Sequence, residues 1–273
     1  DMMNGYVNIF NKFQEMKPNV FCLSEGIKNI YKIFSNFPDD KLFVTPNGVN
    51  FDAFRYTDMP TFGHRSIYLA KVDYRKRQHL FQTIESIHFA GNIVDERYDT
   101  KNNYLGEWTK EHLYENLTEY GNLILLSDGE AHSLVIMEAF AAGLGVVISE
   151  FAKANLDLDK KFITVIPEKK IKDIDYVEAQ IIQNREYSIH HREEIRQYAK
   201  SFEWKTVIQN YYIPSIEKLI ANQPKPELPV YSGERNKAVY KLNNFGPLYY
   251  INLDGQPERD TEMQSMCKYW ELD

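Results

Sequence analysis

Two carboxylates are the residues of this chain best placed to do chemistry. Glu130 and Glu138 stand eight residues apart in Gly-Glu-Ala-His-Ser-Leu-Val-Ile-Met-Glu-Ala-Phe-Ala-Ala-Gly (129–143). Glu138 lies in an apolar run, Leu134–Met137 and Ala139–Ala142, where an unpaired charge costs several kcal/mol. A carboxylate kept in a core-facing helix therefore implies a hydrogen-bonding partner. Glu130 precedes the expected helix start, where backbone N–H groups lack intrahelical acceptors and anions bind well. Carboxylates around such a terminus can hold the hydroxyls of a sugar while the N–H groups hold phosphate. The competing reading, a polar cap followed by a surface Glu, conflicts with the apolar neighbours on nearly every side of Glu138. His132 sits in the same loop, where it either touches a sugar or phosphate or fills the loop.

The elements that must position these groups follow from the apolar periodicity. Strands and helices alternate from 66 to 220, the pattern of an α/β doubly wound parallel sheet. Ser66–Leu69 reads as a short buried strand, followed by the basic loop Ala-Lys-Val-Asp-Tyr-Arg-Lys-Arg (70–77). Gly91 ends a second strand, Leu123–Leu126 forms another, Val146–Ser149 follows the glutamate helix, and Phe162–Ile166 comes next. The charged stretch 168–200 reads as helical, with its acidic and basic residues exposed. Upstream, 1–46 reads as a helix (about 5–17), a strand (Val20–Leu23), a helix (about 25–37) and a strand (Leu42–Val44). Asn47-Gly48 supplies the positive backbone angles of a tight turn. Asn222–Pro229 is rich in proline and reads as a semi-rigid linker.

Composition fits an ordinary α/β protein: 273 residues, 43% hydrophobic and 26% charged, suffice for a buried core. A net charge of −7 argues against nucleic acid as a partner, although the local cluster from Lys71 to Arg77 overrides the global field for a small anion. Two cysteines, Cys22 and Cys267, cannot build a disulfide framework, so a reducing, cytoplasmic setting is expected. No apolar stretch approaches a membrane span, and the N-terminus does not read as a signal peptide.

The run 129–143 resembles the paired-glutamate motif of retaining family 4 glycosyltransferases. Ser127, Glu130, Leu134, Val135, Glu138, Ala139, Ala141 and Gly143 carry the likeness, followed by Val146-Val147-Ile148-Ser149. The resemblance implies the GT-B fold, with a Rossmann-like donor-binding domain and a remnant of the N-terminal domain. It gives Glu130 the donor sugar and Glu138 the ribose hydroxyls. Lys71 and Lys76 stand at the Arg and Lys positions that grip the donor diphosphate, where cations stabilise the charge of the leaving group. Arg75, His132, Ser133 and Leu134 complete the implied donor site. Trp108, in Tyr104–Trp108, either stacks on the base or packs as aromatics after strands commonly do. The chain departs from the family at Ala70 for Gly, Lys71 for Arg and Arg77 for Gly, and a lysine offers a point charge in place of a fork.

Two further segments fall in the family's order. Pro46–Asn50 resembles the entry to the second domain, and Ser201-Phe202-Glu203-Trp204 resembles the opening of the last helix, which crosses back to the first. The implied organisation is 1–46 closing the N-terminal domain, 47–221 the nucleotide-sugar-binding domain, 222–247 a linker, and 248–273 the start of another domain. Leu248–Arg259 looks like the opening strand of family 25-type glycosyltransferases, with Asn252 and Asp254 either near a donor site or forming a turn. The implied activity is sugar transfer from a nucleotide-diphosphate sugar to a glycan or lipid-linked acceptor, with retention and without a metal or other cofactor. No Asp-x-Asp motif lies near the donor loops. Further domains of a longer chain and peripheral membrane contact are the other implied partners. The alternatives are a non-catalytic binding or scaffold module, or another enzyme of the fold such as a nucleotide-sugar epimerase or a sugar phosphorylase.

Overall fold

Short β-branched and aromatic runs become the strands. The computed structural model describes residues 12–221 apart from 14 and 101–102, so most of the first expected helix, the linker and the tail lie outside the described residues. The chain divides into two compact units, 1–217 and 218–273, and the first holds both sheets and the candidate site.

Strands β1 (Val20–Cys22) and β2 (Leu42–Val44) pair in parallel and are joined by α1 (Glu25–Ser35). Ser24 caps α1 by accepting the Ile27 N–H at 3.3 Å, and Asn36 ends it in the left-handed region at φ 44°. The remaining strands are β3 (Phe62–Leu69), β4 (Ile87–Ala90), β5 (Tyr120–Leu125), β6 (Gly145–Ser149) and β7 (Ile163–Ile166). They form one parallel sheet in the order β4-β3-β5-β6-β7. Every residue of β5 and β6 is buried, as central parallel strands covered on both faces must be. The connecting helices are α2 (Gln78–Phe81), α3 (Lys110–Asn116), α4 (Leu134–Ala141), α5 (Ile174–His190) and α6 (Arg192–Ala199). None of the described helices is long and apolar enough to cross a membrane.

Winding reverses between β3 and β5, because β4 flanks β3 on one side and β5 flanks it on the other. In open α/β sheets ligands bind in the crevice outside the carboxyl ends at that point. The crevice here is framed by the residues after Leu69 and those after Leu125.

The chain then crosses back through α7 (Trp204–Val207), a π-turn (Ile208–Tyr212) and α8 (Ile213–Ala221). Pro214 explains the π-turn: it has no N–H to donate, and its ring would collide with the carbonyl one turn back, so the ladder widens just before it. The crossing reaches β1, where the Tyr212 and Phe21 rings stack with centroids 6.3 Å apart.

Two expectations are corrected. Asn47 and Gly48 do not take positive φ angles. Gly48 is needed for space, since a Cβ there would lie 2.5 Å from the Trp204 ring. The charges of 168–200 are not all exposed. Arg192 is 3% exposed, and its guanidinium donates to the carbonyls of Thr57 (2.8 Å), Tyr120 (3.0 Å), Thr118 (2.5 Å) and Ala142 (3.2 Å). Burial pushes its pKa down to about 10, which leaves it charged at neutral pH. The group thus gathers carbonyls that loops and a helix end leave over, a task for which a fork of five donors is suited.

Candidate functional site

The basic loop after β3 is held from several sides. Asp73 accepts the N–H groups of Arg75 and Lys76 at 2.9 and 3.1 Å. The buried Tyr68 hydroxyl accepts the Leu126 N–H at 2.9 Å and donates to the Lys76 carbonyl, and the Asp128 N–H reaches the Arg75 carbonyl at 2.7 Å. Arg77, where the resembled family has glycine, keeps a glycine-like backbone at φ 60°. Its guanidinium forks onto Glu168 at 2.8 and 2.9 Å and pairs with Asp128 at 2.8 Å. These bonds offset the left-handed strain that glycine would avoid.

The loop thereby delivers Lys76 to Glu130. The Lys76 ammonium bonds Glu130 Oε1, which also accepts the Ser127 hydroxyl at 2.8 Å. Two of the predicted residues are thus brought together across the β3 and β5 ends. Lys71 and Arg75 are exposed and make no ion pair among the described residues. Among the described residues Arg75 engages the site through its backbone, by its N–H to Asp73 and its carbonyl to Asp128.

The glutamate loop leads into α4, where Ser133 stands at the N-cap without a side-chain capping bond. The first-turn N–H groups, beginning with Leu134, thus lack a side-chain acceptor. His132 is buried and clamped to the segment that enters the sheet domain. Its Nδ1 accepts the Asn47 N–H and its carbonyl accepts the Asn47 side-chain amide, both at 3.0 Å. Accepting at Nδ1 leaves the proton on Nε2, a buried donor without a partner. Burial drives the pKa of His132 down from 6.5 to about 4. The neutral form is thus the folded one, and below pH 6.5 the unfolded chain takes up the proton first. Stability is expected to fall by roughly 2–3 kcal/mol between pH 6.5 and 4 from this group, then level off. Urea midpoints across that range test this against His132→Asn, which keeps an acceptor for Asn47. Equal pH slopes in the two proteins would refute it.

Glu138 has the partner its burial demanded. It is 8% exposed and accepts the Lys110 ammonium at 2.5 Å on Oε1. Lys110 opens α3, behind the Thr109 cap, and its side chain is 58% exposed, so it reaches the carboxylate from the rim. Beside the pair is a cleft of about 430 Å³ outside the ends of β3 and β4, lined by Lys71, Trp108 and Lys110 among others. Trp108 lines it while its ring leans edge-on against His112 (centroids 4.7 Å) and towards Tyr120 (6.1 Å).

Sequence reasoning missed Lys110, Tyr68 and Asn47 as supports. The burial of Glu138 signalled a partner but not which of many lysines. A larger groove of about 850 Å³ lies between β7 and α5. Its buried Asn184 is spent on Val146, Phe162, Thr164 and Asn122, so the Asn184 amide has no capacity left for a ligand.

One parallel five-stranded sheet with helices between its strands is a Rossmann-like architecture, and it matches solved GT-B glycosyltransferase structures in fold. Sucrose-phosphate synthase from Thermosynechococcus elongatus superposes with a TM-score of 0.57 at 14% identity, over 75% of this chain and 59% of that one. HepE of Anabaena, in complex with UDP, gives 0.57 at 14%, over 75% and 64%. TarM gives 0.54 at 15%, over 80% and 45%. This chain spans about half of the TarM chain and under two thirds of the others. At such identities the likeness establishes the fold. No protein-family model matches the sequence, and neither does any curated protein.

Proposed function

We propose that residues 47–221 form the nucleotide-sugar-binding domain of a retaining glycosyltransferase of the family 4 type, with 1–46 closing its N-terminal domain. The observation that carries this reading is the convergence at the sheet's switch point. Lys76 and Glu130 meet across the β3 and β5 ends, and Lys110, which holds Glu138, lines a cleft together with Lys71 and Trp108.

In this reading the base enters the cleft beside Trp108 and the ribose hydroxyls bond Glu138. The diphosphate meets Lys71, Lys76, Arg75 and the N–H groups at 132–134, and Glu130 orients the sugar. The bond from the anomeric carbon to the diphosphate breaks as an oxocarbenium-like sugar forms. The acceptor oxygen attacks from the face the diphosphate leaves, and its proton passes to a diphosphate oxygen. Lysines and helix N–H groups stabilise the departing charge, so the step needs no metal. The acceptor is a glycan or a lipid-linked glycan, and the setting is cytoplasmic.

A calorimetric panel of UDP, GDP, ADP and their sugars tests the reading. One base should bind, and Glu138→Ala should weaken it by about ten- to a hundredfold, the worth of a hydrogen bond to a charged group. Unchanged affinity in the folded variant would remove the ribose role. Silence across the panel would favour a non-catalytic module, while conversion of the sugar without an acceptor would favour an epimerase.

A further inference from the structure

We propose that Lys110 is a positioning residue that makes Glu138 a reader of ribose hydroxyls, an inference that rests on the donor-site reading above. A buried carboxylate without a partner does not stay ionised and fixed. Among the described residues Lys110 is the cation paired with Glu138, and it binds one oxygen, Oε1, at 2.5 Å. The other, Oε2, is neither hydrogen-bonded nor sealed away among the buried orphan atoms. A carboxylate has about four acceptor sites, so the ion pair leaves acceptor capacity free on Glu138, next to a lysine that itself lines the cleft.

The approach of Lys110 fits this division. It stands at the first position of α3, fixed by the Thr109 cap, whose hydroxyl accepts the His112 N–H at 3.2 Å. Its stem comes from the exposed rim while Glu138 projects from the buried helix α4. The lysine therefore fixes the rotamer of Glu138 from the solvent side, where its own side chain is 58% exposed. A ribose would add its hydroxyls to the free oxygen and leave the ion pair intact. Discrimination between ribose and a sugar lacking both hydroxyls would then depend on Lys110, although the lysine touches neither.

The test compares UDP, GDP and ADP with their 2′,3′-dideoxy forms by calorimetry on the full chain, in wild type, Lys110→Met, Lys110→Arg and Glu138→Gln. For the base that binds, wild type should prefer the ribonucleotide by about ten- to a hundredfold. Lys110→Met should bring that ratio near unity, as should Glu138→Gln, while Lys110→Arg, which keeps the cation, should restore most of it. A lysine that only supports the fold would weaken both nucleotide forms alike. A ratio that stays at the wild-type value in Lys110→Met, while Glu138→Gln collapses it, overturns the role of Lys110 and leaves the donor site standing. Failure of wild type to bind any of the nucleotides removes the donor-site reading and this inference with it.

Discussion

Replacing Lys76 by alanine should lower turnover in the proposed transfer by about 10²–10³, the usual cost of losing one preorganised group at a developing charge. The side chain is 19% exposed and fastened to Glu130, itself 13% exposed. A charge held away from water acts through a lower effective dielectric than one free at the surface. The variant also frees Glu130, leaving it only the Ser127 hydroxyl. Lys71→Ala should cost less, because Lys71 is exposed and held by no ion pair among the described residues. Single-turnover rates with a saturating donor separate this from lost affinity. A fall of less than tenfold in Lys76→Ala would remove Lys76 from the reacting centre.

The largest effect on stability is expected from Arg192→Met. Methionine retains the apolar bulk but withdraws every donor from the carbonyls of Thr57, Thr118, Tyr120 and Ala142. Buried acceptors left open cost more than the bonds were worth, about 1–3 kcal/mol each, and with water able to reach some of them about 3–5 kcal/mol should be lost in all. Arg192→Lys should recover little, since a point charge cannot reach the fork's four directions. Denaturant midpoints at neutral pH measure both. A loss under about 1 kcal/mol in Arg192→Met would mean that water replaces the guanidinium.

These two residues mark what the sequence reveals and what it hides. Lys76 stands in a motif whose spacing from a strand end is readable, because apolar runs bounded by polar loops place strands without tertiary knowledge. The burial of Glu138 was readable for the same reason, since apolar neighbours on every side leave a helix no wet face. Arg192 lies in His-His-Arg-Glu-Glu, which looks like a solvated surface. Its partners are backbone carbonyls, which every residue carries, so no side-chain pattern announces them. Gly48 misled in another way: glycine serves both a turn and a close approach, and only the Trp204 ring over it decides between them. Lys110 and Glu138 are brought together by the order of strands, a fact of topology absent from local spacing.

The loop from Asp73 to Arg77 has a consequence in conformational entropy. A glycine-rich loop would be ordered by its ligand, at a cost of about 1–2 kcal/mol for each residue fixed. Here Asp73, Tyr68, Asp128 and Glu168 hold it in place beforehand. That ordering belongs to folding, and in the proposed reading a donor would meet a phosphate grip already set. Binding should then show a small entropic penalty, and breaking the Arg77 fork should enlarge that penalty before it changes the enthalpy.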